Sequence, residues 1–104
     1  MSDRNLTLHL HTAANTAVPC LHALIAKGYT VSHYFLDLGG EEKRPQWSAE
    51  KDGRLFTAEG LEEVLGLVAM WEVRGDDWRL KDGEYERFEE LLQAAPTATS
   101  RPKW

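Results

Sequence analysis

The sequence predicts an α+β fold: a small mixed sheet of three or four strands, formed by a βαβ unit followed by a β-hairpin, packed by a central helix and a C-terminal helix. Three observations carry this. Residues 61–73 repeat apolar side chains at three- and four-residue steps. Asp52-Gly53 lies between two short extended runs, where a tight turn needs residues that tolerate positive φ. The segments before it read in order as strand, helix and strand. A chain of 104 residues makes one domain, read here as residues 1–95, with 96–104 (PTATSRPKW) as a flexible tail.

From Asn5 to His11, Leu6, Leu8 and Leu10 alternate with Asn5, Thr7, His9 and His11, the period of a half-buried strand. Residues 12–16 (TAANT) are turn-compatible and capping residues, and Pro19 suits a first helical turn. The first helix is expected to run to about Lys27, bury Val18, Leu21, Leu24 and Ile25, and end at Gly28. Residues 29–38 (YTVSHYFLDL), aromatic and β-branched, read as a more central strand. Short links make this a right-handed βαβ unit with parallel strands.

After the polar loop 39–45 comes the hairpin, with Ala49 opposite Phe56 and Trp47 on the same face. The central helix then has Thr57 as its cap, Glu59 near its positive end and Gly75 closing the far end. Leu61, Val64, Leu65, Val68 and Trp71 form its buried stripe. Leu67, Met70 and Val73 project elsewhere and Gly66 leaves room for another backbone, so this helix is expected to be covered twice, by the last helix or by a partner. Trp78 and Leu80 are expected to fold back on it. Asp82 caps a last helix over residues 84–95, with Tyr85, Phe88, Leu91, Leu92 and Ala95 as its stripe, and Pro96 stops it.

The net charge of −5 is uneven, because residues 59–90 hold 11 acidic side chains against 4 basic ones. Such a surface repels a polyphosphate backbone and attracts a basic protein, although glutamates that only keep a helix face solvated give the same count. No apolar run reaches the roughly 18 residues a bilayer span needs. The N-terminus lacks the pattern of a secretory signal, and the lone Cys20 has no disulfide partner. A cytoplasmic protein is expected. Gly39-Gly40 is followed by Glu41-Glu42, which would repel phosphate rather than cradle it.

No pattern rises to a diagnostic catalytic or ligand motif. If the first two strands sit side by side, His9, His11 and His33 with Asp37 or Glu41 make a candidate zinc or nickel set; solvated strand histidines are the plainer alternative. Adjacent acids such as Asp76-Asp77 and Glu89-Glu90 diverge on a helix, which argues against an acid–base pair. Cys20 falls near a helix start after a βα turn, Lys27-Gly28-Tyr29 leads into the next strand, and Arg44-Pro45-Gln46-Trp47 sets a proline before a third. In outline, over roughly residues 4–74, this resembles thioredoxin-like and glutaredoxin-like proteins, and the resemblance implies a thiol role for Cys20. It departs from them in having no second cysteine and only a loop between the second and third strands.

By elimination, the expected function is non-enzymatic protein binding without a cofactor. The concrete form is a small acidic inhibitor, of the bacterial immunity or antitoxin kind, that masks a basic toxin or nuclease. Its expected contact residues are Glu72, Asp76, Asp77, Trp78, Asp82 and Glu84, an aromatic anchor within an acidic rim. Nucleic acid and membrane are not expected partners. Self-association through the apolar second half of the central helix is compatible with this reading.

Overall fold

The computed structural model describes residues 5–97, and the chain divides into two units: residues 11–76, and the segments flanking them on either side. Within 11–76 a 3-10 turn, Ala14–Thr16, leads into α1 (Ala17–Ala26), followed by β1 (Thr30–Asp37), β2 (Lys43–Lys51), β3 (Arg54–Ala58) and α2 (Leu61–Arg74). The turn is held by Thr16, whose hydroxyl donates to the Ala13 carbonyl at 2.8 Å and also reaches the Glu62 carboxylate at 2.5 Å. That second contact fixes the entry of α1 to the first turn of α2. Gly28 ends α1 at φ 94°, where a side chain would be strained.

The strands form an antiparallel meander in the order β1-β2-β3. Asp52 (φ 52°) and Gly53 (φ 77°) are the two loop residues of the β2–β3 hairpin, which pairs Lys51 with Arg54 and Ala49 with Phe56 as the sequence predicts. Pro45 sits in the half of β2 that has β1 alone alongside, where a missing amide costs the sheet least. The expected mixed sheet is therefore corrected to a wholly antiparallel one without a βαβ unit. Residues 5–10 form no strand, and Leu6, Leu8 and Leu10 are exposed. Alternation yields a strand only where a ladder and a face to bury are both available.

Thr57 does not cap α2; it lies in β3 opposite Ser48. The helix starts three residues on, at an extended Gly60 whose N–H donates to the Glu63 carboxylate at 3.1 Å. At the other end Gly75 (φ 80°) donates to the Trp71 carbonyl at 2.7 Å. Both helices lie on one face of the sheet. Leu24 from α1, and Leu61, Val64 and Val68 from α2, are buried with Tyr29 and Ala49, and Val31, Trp47, Phe56 and Ala58 pack around them. On the opposite face Ser32 and Ser48 share a hydrogen bond at 2.6 Å, while Tyr34, Leu36 and Leu55 are exposed.

Of the side chains that project away from the buried stripe of α2, Leu67 is exposed and Val73 is 86% exposed in the single chain. A Cβ added at Gly66 would meet nothing within 4 Å, so no backbone approaches there. In the flanking unit, α3 spans Glu84–Gln93 and stops short of the expected Ala95. Gly83 (φ 87°), not Asp82, precedes its first turn, and the Glu84 carboxylate accepts the Lys81 N–H at 2.8 Å. The anticipated tail from residue 98 onward, Trp104 included, lies outside the described residues.

Leu24 touches both helices' shared core, so Leu24→Ala is expected to lower unfolding free energy by about 2–5 kcal/mol in urea titration. Gly66 has helical neighbours and open space, so Gly66→Ala is expected to raise it by about 0.5–1 kcal/mol.

Candidate functional site

The six expected contact residues fall in both units: Glu72 and Asp76 in residues 11–76, and Asp77, Trp78, Asp82 and Glu84 in the flanking unit. Glu72, near the end of α2, takes the Lys27 ammonium at 2.9 Å on each oxygen. This pair joins the last turns of α1 and α2. Asp76 accepts three charge-assisted or polar bonds: from Arg54 Nε at 2.7 Å, from Arg54 Nη2 at 2.6 Å and from the Trp71 indole N–H at 2.7 Å. The guanidinium also lies over the Trp71 ring, 4.9 Å from its centre. Arg54 begins β3 immediately after the hairpin turn, so this cluster pins the turn to the C-terminal end of α2. The Arg54 bonds, and then that from Trp71, hold the Asp76 carboxyl well down, at about 2. Both carboxylates thus have internal partners, although such exposed pairs contribute little individually.

The other four lie around the connector that precedes α3. Asp77 is 88% exposed and 3.9 Å from the Lys81 ammonium, which also donates to the Asp77 carbonyl at 2.7 Å. The Arg79 guanidinium stands 4.9 Å from the centre of the Trp78 ring, which stays half-exposed. Asp82 is exposed in the turn before α3. On α3 the expected stripe is open: Tyr85, Phe88, Leu91 and Leu92 are all exposed, with the rings of Tyr85 and Phe88 6.2 Å apart. The 3.6-residue period places Glu86 and Glu90 on the other side of the same helix and Glu89 along the edge of the stripe, beside Tyr85.

Cys20 sits in the first half of α1, half-buried against the core. Burial, and secondarily the charge of Glu62, push its thiol up, the reverse of what an activated thiolate needs. The strand that a thioredoxin-like outline requires before the cysteine is not formed. Without it His9 and His11 share no strand face. His11 instead contacts the Thr12 carbonyl at 3.1 Å, and the His33 ring packs on Trp47 and Phe35 at 4.2 and 4.9 Å. Among the described residues no three His, Cys, Asp or Glu side chains converge as a metal set. A shallow hollow is lined by Thr12, Ala13, Gly60, Glu62 and Glu63.

Two surfaces went unread in the sequence, the open stripe of α3 and the outer edge of β1. Three adjacent apolar side chains, Tyr34-Phe35-Leu36, were the available signal for the second, because a strand sends successive side chains to opposite faces and a single core buries only one.

Asp76 ties pH to stability. Its carboxyl is depressed from 3.8 to about 2, so its contribution is complete above the unfolded value and is lost as pH falls through that window. Asp76→Asn is expected to lower the urea midpoint at neutral pH, and the gap from the parent chain is expected to close between 3.8 and about 2. A gap that stays constant with pH would show that the carboxylate is not the source.

No helix among the described residues is long and apolar enough to cross a membrane. Comparison with protein-family models, with curated proteins and with solved structures finds no match for this chain.

Proposed function

We propose that the chain is a non-enzymatic protein-binding module: a small acidic inhibitor, of the bacterial immunity or antitoxin kind, that masks a basic surface on a toxin or nuclease. One observation carries the reading. α3 presents Tyr85, Phe88, Leu91 and Leu92 to solvent on one side, with Glu89 along the edge of that stripe and Glu86 and Glu90 on the other side. An uncovered aromatic-aliphatic stripe supplies the anchors that dominate binding energy, and the flanking carboxylates supply steering toward a basic partner. This moves the expected contact surface along the chain. Asp77, Trp78, Asp82 and Glu84 remain beside the α3 stripe in sequence, whereas Glu72 and Asp76 have partners of their own in Lys27 and Arg54. No step of chemistry is assigned: burial pushes the Cys20 thiol up, away from an activated thiolate.

The test uses the tagged full chain to retain basic proteins from the lysate of its own host at low and high salt, followed by titration with the purified candidate. Phe88→Ser is expected to weaken binding by about 10- to 100-fold. Reversal of Glu86, Glu89 and Glu90 to Lys is expected to slow association and remove its salt dependence. Phe88 is exposed, so the circular dichroism of the variant should match that of the parent. Binding indifferent to both changes would remove α3 as the contact surface, and with it the reading.

A further inference from the structure

We propose that β1 pairs antiparallel with β1 of a second copy of this chain, across a two-fold axis through Phe35. This pairing uses only the sheet of residues 11–76 and does not involve α3.

β1 is an outer strand: among the described residues only β2 pairs with it, so one row of its amides and carbonyls points away from the sheet. Such edges recruit another strand unless they are blunted by lysine, proline, a bulge or a covering segment. β1 has none of the first three. Its register with β2 runs unbroken through all eight residues, and TVSHYFLD holds neither lysine nor proline. The contrast lies one strand away. Residues 43–46 of β2, which β3 does not reach, also have a free side, and there the chain carries Lys43, Arg44 and Pro45, with Arg44 paired to Glu59 at 3.2 Å. The overhang of β2 is guarded, whereas β1, one of the sheet's two outer strands beside β3, is not. The unguarded strand is apolar on both faces where it extends beyond the helices: Phe35 is 61% exposed, and Tyr34 and Leu36 are exposed on the opposite side.

What selects a second copy as the occupant is the way the strand complements itself. Side chains opposed across an antiparallel pair share a face, so a two-fold axis between identical strands must pass through a residue. With the axis at Phe35, the two Phe35 rings meet. Tyr34 then lies opposite Leu36 of the second copy, and Leu36 opposite Tyr34. His33 lies opposite Asp37 of the second copy, also twice. Every opposed pair is apolar with apolar, or an imidazole N–H facing a carboxylate. One oxygen of Asp37 accepts the Gly39 N–H at 3.0 Å, leaving the other for His33. The neighbouring axes lose this match. Through Tyr34, Asp37 would face Val31; through Leu36, Asp37 would face Phe35; through His33, the imidazoles would face each other. Of these four axes, the one through Phe35 satisfies both charge and apolar complementarity.

The full chain, examined by sedimentation over a range of concentrations, is expected to be a reversible dimer. Phe35→Lys sets two ammonium groups on the axis and is expected to raise the dimer dissociation constant more than about a hundredfold with an unchanged circular dichroism spectrum. His33→Asp, which opposes two pairs of carboxylates, is expected to weaken the dimer, and His33→Asp combined with Asp37→His is expected to restore it. In a Cys20→Ser background, Phe35→Cys is expected to form an intermolecular cross-link with a short bifunctional thiol reagent, since opposed Cβ atoms lie about 4.5–5.5 Å apart. Thr30→Cys, whose two copies would sit roughly 30 Å apart along the ladder, is expected not to. A chain that stays monomeric at the highest soluble concentration overturns the proposal. So does a dimer unaffected by Phe35→Lys, a charge swap that fails to restore it, or an edge that takes a strand only from a different protein.

Discussion

Leu24, Val64 and Val68 meet Ala49 in the gap between two helices and one face of a three-stranded sheet, and all four are completely buried. Burying each of the larger three is worth about 1.5–3 kcal/mol by transfer. The ion pairs around them, Lys27 with Glu72 and Arg44 with Glu59, join exposed side chains and contribute about 0–1 kcal/mol apiece. Stability in residues 11–76 therefore follows the small apolar core, and the polar contacts act chiefly to orient its parts. Thr16 on Glu62 sets how α1 enters, and Arg54 on Asp76 and Trp71 sets where the hairpin turn meets the end of α2.

Local chemistry was the legible part. The Asp52-Gly53 turn, the pairing of Ala49 with Phe56, the extent of β1, and the stripe Leu61, Val64, Val68 all follow from rules that span a few residues. What failed were inferences that need knowledge of a distant neighbour. Leu6, Leu8 and Leu10 alternate as a strand does, but alternation does not create the ladder that would hold one. Thr57 is a good cap by type, yet Ser48 claims it for the sheet, and Gly60 with Glu63 takes the role three residues later. Asp82 lost its place before α3 to Gly83 in the same way.

The candidate surface divides along similar lines. The excess of acid between residues 59 and 90 is plain in the sequence, but which carboxylates are engaged is not. Arg54 is 22 positions from Asp76, and Lys27 is 45 from Glu72, so nothing local marks either pair. Periodicity likewise says which side chains of α3 share a face without saying that anything covers it. The same limit applied to β1, where an aromatic and β-branched composition reads as a central strand although the strand lies at the margin of the sheet.

The meander connectivity has a kinetic consequence. Each strand pairs with its neighbour in sequence, across loops of a few residues, so closing either ladder costs little chain entropy and needs no distant segment. The three strands therefore need only their own short loops to find register, although the ribbon persists only once one face is buried. The docking of α1 and α2, which precede and follow it in the chain, would then be the slow commitment that seals one side.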